Sequence, residues 1–284
     1  MYYSLFEVFS IGIGPSSSHT VGPMKAAKRF TENLINQNKL QSTSKVKTTL
    51  YGSLALTGVG HGTLNAVVYG LAGYEAEEID LTQNPLEKIK SSQTLNLGNK
   101  KEIRFIFEED ILLEKETFLK EHSNGLKFEA LDETGKTIFE EIYFSVGGGT
   151  IARQDEIKNR ISRAEYNVPY PFDSCAELIE LTQKNNMTID QIVMQNEEAI
   201  RPFKEIREGM HKIHQIMQDS IDAGIHHKGE LPGGLNIKRR APQIYKRLKE
   251  NFIQKLLNKI KETFFSSLPL AIIVVICLLI FPLE

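Results

Sequence analysis

The sequence predicts an α+β N-terminal domain, an antiparallel sheet with covering helices, followed by a mainly α-helical region. Three observations carry this. Residues 103–107, 126–131 and 136–145 alternate apolar and polar side chains at period two, with Asp132-Glu133-Thr134-Gly135 as a hairpin turn between the last two. Residues 21–37 set Ala26, Ala27, Phe30, Leu34 and Ile35 close to the spacing of a helix with one buried face. Beyond Pro169-Tyr170-Pro171, which breaks whatever precedes it, the pattern becomes helical.

The composition is globular and bounds the function. A chain of 284 residues has room for one large or two ordinary domains, and 41% hydrophobic residues supply a core. A formal net charge of −2 gives no electrostatic case for nucleic acid. Two cysteines, Cys175 and Cys277, build neither a disulfide framework nor a structural zinc motif, which makes a reducing cytoplasm the default. The first ten residues mix aromatics with Glu7 and lack the basic flank of a signal peptide.

In chain order, residues 4–13 carry Leu5, Phe6, Val8, Phe9 and Ile11, equally compatible with a short helix or a strand. Val46, Thr48 and Leu50 open a β-rich run that enters a glycine-dense turn, Gly58-Val59-Gly60-His61-Gly62-Thr63-Leu64-Asn65-Ala66, and a helix follows over residues 65–73. Val146-Gly147-Gly148-Gly149 ends the sheet. In the helical region Asp173 or Ser174 caps a first helix, Thr188-Ile189-Asp190-Gln191 is a capping box for the next, and a long helix runs over 203–223 with Ile206, Met210, Ile213, Ile216 and Met217 on one stripe. His211 and His214 share a face of it, but no further metal ligands stand at a matching spacing.

The most specific stretch is Gly12-Ile13-Gly14-Pro15-Ser16-Ser17-Ser18-His19-Thr20-Val21-Gly22. Glycine and proline make a tight turn, and Ser18 or Thr20 can cap the helix that follows. The backbone N–H groups and hydroxyls of Ser16, Ser17 and Ser18 then form a small-anion site at the positive end of the helix dipole, with His19 able to donate, accept or titrate. The Walker A pattern needs a Lys followed by Ser or Thr, and this string has none.

The string from Gly14 to Met24, with both prolines and its lone His, resembles the opening motif of the iron–sulfur-dependent bacterial L-serine dehydratases, which convert L-serine to pyruvate and ammonia. Further blocks resemble that family in the same order: Gly60-His61-Gly62-Thr63, Asn196-Glu197, and Gly229-Glu230-Leu231-Pro232-Gly233-Gly234-Leu235 with Arg239-Arg240-Ala241. The resemblance implies that His61 serves proton transfer or substrate orientation, that Thr63 belongs to its string, and that Ser145, Gly147 and Gly148 lie near the substrate. The family commonly has an acidic residue where this chain has Leu64.

The resemblance further implies a beta-type domain over 1–150, a linker over 151–172 and the first part of a helical alpha-type catalytic domain over 173–249. L-serine is the implied ligand, with no nucleic acid, and a homodimer stays open. A complete member also carries the cysteines of a [4Fe–4S] cluster. Cys175 and Cys277 are too few for one, so no cluster is expected on this chain and the catalytic domain reads as incomplete and inactive. Residues 250–284 form a basic and then apolar tail, with no charge from Phe264 to Leu283. That run is long enough to span a membrane. It competes with two other readings, an altered reading frame, which the loss of the family's residues favours, and a buried helix. Serine binding without catalysis, as a sensor or regulatory module, is the alternative to the lyase, and a tail-anchored membrane protein is the third reading.

Overall fold

The computed structural model describes residues 2–80, 85–158, 166–231 and 236–251. It divides into two compact units, one holding residues 3–165 and the other Tyr2 with most of 166–251.

The first unit is built on a five-stranded sheet. Its strands are β1 (Lys45–Tyr51), β4 (Ile111–Glu114), β5 (Gly125–Leu131), β6 (Thr137–Gly147) and β7 (Thr150–Arg153), in the order β4-β1-β5-β6-β7. The pairs β1/β5, β5/β6 and β6/β7 are antiparallel, as the alternation predicts, and the hairpin at 132–135 joins β5 to β6. Asp132 shapes that hairpin by accepting from Thr134 N and Lys136 N at 2.9 and 3.1 Å. The pair β1/β4 is parallel, so the sheet is mixed.

Residues 103–107 depart from expectation. Only 101–104 form a strand, β3 (Lys101–Arg104), and it pairs with β2 (Thr94–Leu97) in a separate two-stranded sheet. Period two reports a half-buried strand but not its partner. Leu95, Leu97 and Ile103 send their side chains into the same core as the main sheet.

Helix α1 (Leu5–Val8) is one turn within residues 4–13, capped by Ser4 in a capping box with Glu7. Helix α2 (Gly22–Asn36) lies over β5–β7: Phe30 is fully buried, with ring centroids 5.2 Å from Phe128 and 5.4 Å from Phe139. Helix α3 (Gly52–His61) occupies the stretch read from sequence as a strand end and the start of a glycine turn, and α4 (Thr63–Leu71) is the helix expected over 65–73, begun two residues earlier. Gly58 and Gly60 are therefore helical, and only Gly62 breaks the run, at φ +69°. Burial of Leu54, Ala55, Ala66, Val67, Val68 and Leu71 outweighs the roughly 1 kcal/mol that each helical glycine costs.

Helix α4 crosses α2 at Gly70. A Cβ there would overlap Met24 O and stand 2.8 Å from Ala27 Cβ and 3.0 Å from Lys28 N, so the absent side chain sets the approach of the two backbones. Helices α5 (Pro85–Ser92), α6 (Phe107–Asp110) and α7 (Gln154–Lys158) complete the unit. Buried Asp110 accepts from Ile106 N at 2.8 Å and pairs with Lys45 Nζ at 2.7 Å.

The second unit is helical: α8 (Cys175–Asn185), α9 (Ile189–Glu198), α10 (Phe203–His226) and α11 (Ala241–Asn251). Ser174 caps α8 and the Thr188/Gln191 box caps α9, while α10 runs three residues beyond the expected end. Asn196 is buried and brackets the backbone of Tyr170, donating to its O at 2.7 Å and accepting from its N at 2.9 Å. Buried Glu197 accepts from the Tyr2 hydroxyl at 2.9 Å. His211 and His214 are both exposed. The run 264–283, Cys277 and Pro232 to Leu235 lie outside the described residues; within those residues no helix is long and apolar enough to cross a membrane.

Candidate functional site

The serine cluster folds as a π-helical turn, Ser17–Val21, that continues directly into α2. Its cap is Ser16 rather than Ser18 or Thr20. Ser16 sits in extended backbone and its Oγ accepts from His19 N at 3.2 Å, while its carbonyl accepts from Thr20 N and Val21 N. The wider turn puts the cap two positions before Ser18 and four before Thr20, and α2 itself has no side-chain cap. Gly14 is required twice over: its φ is +78°, and a Cβ would collide with the Thr20 side chain.

Freed from capping, Thr20 does something else. Its hydroxyl donates to His61 O at 2.8 Å, and Thr63 Oγ1 returns a short bond to His19 O. Both threonines are buried. They staple the π-turn to the α3–α4 joint reciprocally, and so hold the two imidazoles face by face. The ring centroids of His19 and His61 are 4.9 Å apart with planes inclined at 37°.

Each ring is oriented further. His61 Nδ1 lies 2.9 Å from Thr57 O, and since a carbonyl only accepts, Nδ1 carries a proton, and in the neutral ring Nε2 is the nitrogen with the lone pair. His19 Nδ1 is 2.9 Å from Ser18 Oγ, and Nε2 is 2.9 Å from Ser53 Oγ. Partial burial, and then the neighbouring His61, lower the His19 pKa below its usual value. The pair thus sets a His19 whose charged form is disfavoured beside an imidazole whose Nε2 has no partner among the described residues. The N–H groups of Ser17 and Ser18 open the helical run, ahead of the bonds donated by His19 and Thr20.

The other motif residues lie around this pair. Ser145 is fully buried on β6, with its Oγ packed against Gly22 at the start of α2 and no hydrogen-bond partner among the described residues. Gly147, Gly148 and Gly149 all have positive φ, at a register shift between β6 and β7. Gly148 O accepts from Ser10 Oγ at 2.6 Å, and a Cβ on Gly149 would touch Val21. That run thus reaches the π-turn through Ser10 and Val21. The sequence reading did not single out Ser53 and Thr57. Ser53, Thr57 and His61 follow one another at four-residue steps, a signal that exists only once the segment is known to be helical.

Comparison with known proteins decides the family. Residues 4–156 match the family model described as serine dehydratase beta chain. The chain is 40% identical over 252 residues to an L-serine dehydratase of Streptomyces coelicolor, covering 88% of this chain and 55% of that protein. It is 38% identical to an L-serine dehydratase of Haemophilus influenzae over 256 residues, 87% of this chain and 55% of that one. The chain belongs to the serine dehydratase beta-chain family. This serine dehydratase homologue spans about half the length of the curated relatives it matches.

Acid should loosen the fold in two steps. In the folded state His19 and His122 both have pKa values lowered chiefly by burial, so the unfolded chain binds more protons below about 6.5. Their contribution is complete above that pH and falls away as the pH drops through it. Glu156 is lowered chiefly by its hydrogen bond to Arg29, so its contribution is present above about 4.3 and is lost further down. Urea midpoints against pH check this: His19→Gln with His122→Gln should flatten the first decline, and Glu156→Gln the second. A first decline unchanged in the double variant would contradict it.

Proposed function

We propose that this chain binds L-serine on the His19–His61 face and belongs to an L-serine ammonia-lyase reaction. The observation that supports the reading is the pairing itself: a neutral His19 and an open His61 Nε2, 4.9 Å apart between ring centroids, beside a hydroxyl-rich helix start. The substrate carboxylate is stabilised by the N–H groups of Ser17 and Ser18 and the positive end of the helical run through α2. His61 Nε2 takes the proton from the serine α-carbon and returns it to the departing β-hydroxyl, so that water leaves and aminoacrylate remains, which takes up water to give pyruvate and ammonia. Ser145 and the Gly147–Gly148 run support the floor of the turn.

The [4Fe–4S] cluster that the resemblance implies does not fit this chain's donor set. A thiolate-held cluster needs more cysteines than Cys175, exposed on α8, and Cys277. None of the steps above therefore runs through it. The same count favours a second reading, a module that binds serine without turning it over.

Two measurements on the full chain test both readings. Calorimetry with L-serine should give saturable heat, weakened at least tenfold, about 1.4 kcal/mol, by His19→Ala. Anaerobic treatment with iron and sulfide should give no stable brown species, and pyruvate formed from L-serine separates the lyase from the module that only binds. Absent heat removes the serine reading. A stoichiometric cluster whose spectrum responds to serine removes the non-catalytic one.

A further inference from the structure

Helix α3 presents Ser53, Thr57 and His61 at four-residue spacing along one face. Thr57 Oγ1 donates to Ser53 O at 2.9 Å, and Thr57 O accepts from His61 Nδ1. The start of the helix is anchored as well, Gly52 N donating to Thr117 O and Ser53 N to Ser123 O, each at 3.0 Å. Ser53 is thereby a fixed point from which its hydroxyl meets His19 Nε2.

The hydroxyls on His19 define a direction. A neutral imidazole offers one N–H and one lone pair, so of Ser18 and Ser53 one donates and the other accepts. Ser16 Oγ accepts from His19 N and stands 3.4 Å from Ser18 Oγ, a pair in which either hydroxyl can donate. With Ser16 as the donor of that pair, the donors run from Ser16 to Ser18, from Ser18 to His19 Nδ1, and from His19 Nε2–H to Ser53. We propose that Ser53 is a positioning residue: by accepting from Nε2–H it holds His19 in one tautomer with its ring turned toward His61. Helix α3 thus sets both imidazoles, His61 through the Thr57 carbonyl and His19 through the Ser53 hydroxyl. This deepens the serine-binding reading of the same face, but its test is read without ligand, so a failure of serine binding leaves it standing.

The test is the pattern of two-bond proton–nitrogen correlations in the full chain with nitrogen-labelled histidine, at about pH 8, above the usual imidazole range. In the wild-type chain His19 should show the Nε2–H pattern alone, with its two nitrogen shifts far apart. Ser53→Ala should bring those two shifts toward each other as the tautomers mix. The patterns of His61 and of His122, whose Nδ1 accepts from Asn124 N at 3.0 Å, should stay in place and report an intact fold. Ser53→Thr, which keeps the hydroxyl, should retain the wild-type pattern. A His19 pattern unmoved by Ser53→Ala, or of the Nδ1–H type in the wild-type chain, overturns the proposal. So does a Ser53→Thr variant that alters all three histidines together, because Ser53 is then only part of the packing.

Discussion

Gly70→Ala should be among the most damaging single-methyl changes in the first unit, costing about 3 kcal/mol, the upper end of what overpacking produces. The added Cβ overlaps the Met24 carbonyl and crowds Ala27 Cβ at 2.8 Å, and backbone on the facing helix cannot rotate away as a side chain would. Helices α2 and α4 must separate, and the gap opens beside Phe30, Leu34, Val67 and Leu71, all fully buried. Gly224 on α10 is the control. A Cβ there meets nothing within 4 Å, so Gly224→Ala should gain up to about 1 kcal/mol from helix propensity alone. Urea midpoints of the two variants should move in opposite directions, and a Gly70→Ala chain as stable as the wild type would refute the close crossing.

Gly22→Ala should have the largest effect on ligand binding. The residue is helical, at φ −58°, so alanine brings no backbone strain; the trouble is the buried Ser145 side chain, whose Oγ the new methyl would overlap and whose Cβ it would meet at 2.9 Å. Either β6 or the π-turn has to give, and the π-turn carries Ser16, Ser17, Ser18 and His19. Serine affinity should fall by tenfold or more, with about 1–3 kcal/mol of stability lost alongside. Replacing Ser145 by glycine in the same chain removes both contacting atoms and should recover much of the affinity. Wild-type affinity in Gly22→Ala would show that the π-turn does not hold the ligand.

Much of the sheet and of the site was readable before any coordinates. The β5–β6 hairpin follows from alternation bounded by a turn, and α2 from its apolar stripe, because both patterns are local and the core enforces them. The partner of 101–104 was not readable, since pairing between distant strands leaves no local mark. Helix α3 was missed for a different reason. Its interior glycines at 58 and 60 read as turn residues, and packing against β1 and α4 makes the segment helical. That error hid Ser53 and Thr57, whose spacing to His61 has meaning on a helix alone. The cap of the serine cluster, read as Ser18 or Thr20, is Ser16, two or four residues earlier, because the turn is π rather than α. His19 and His61, by contrast, were visible as motif residues, and the Thr20 and Thr63 staples explain how positions far apart in sequence come to face each other.

The account rests on the claim that one face, made by the π-turn and the end of α3, receives a small carboxylate. Amide and imidazole chemical shifts of the full chain, followed during a titration with L-serine, test it most directly. The account predicts saturating shifts at the amides of Ser17, Ser18 and His19 and on the ring of His61, with the amides of the β2–β3 sheet unmoved. Shifts confined to residues away from the π-turn and α3, or none at serine concentrations that give saturable heat, would contradict it.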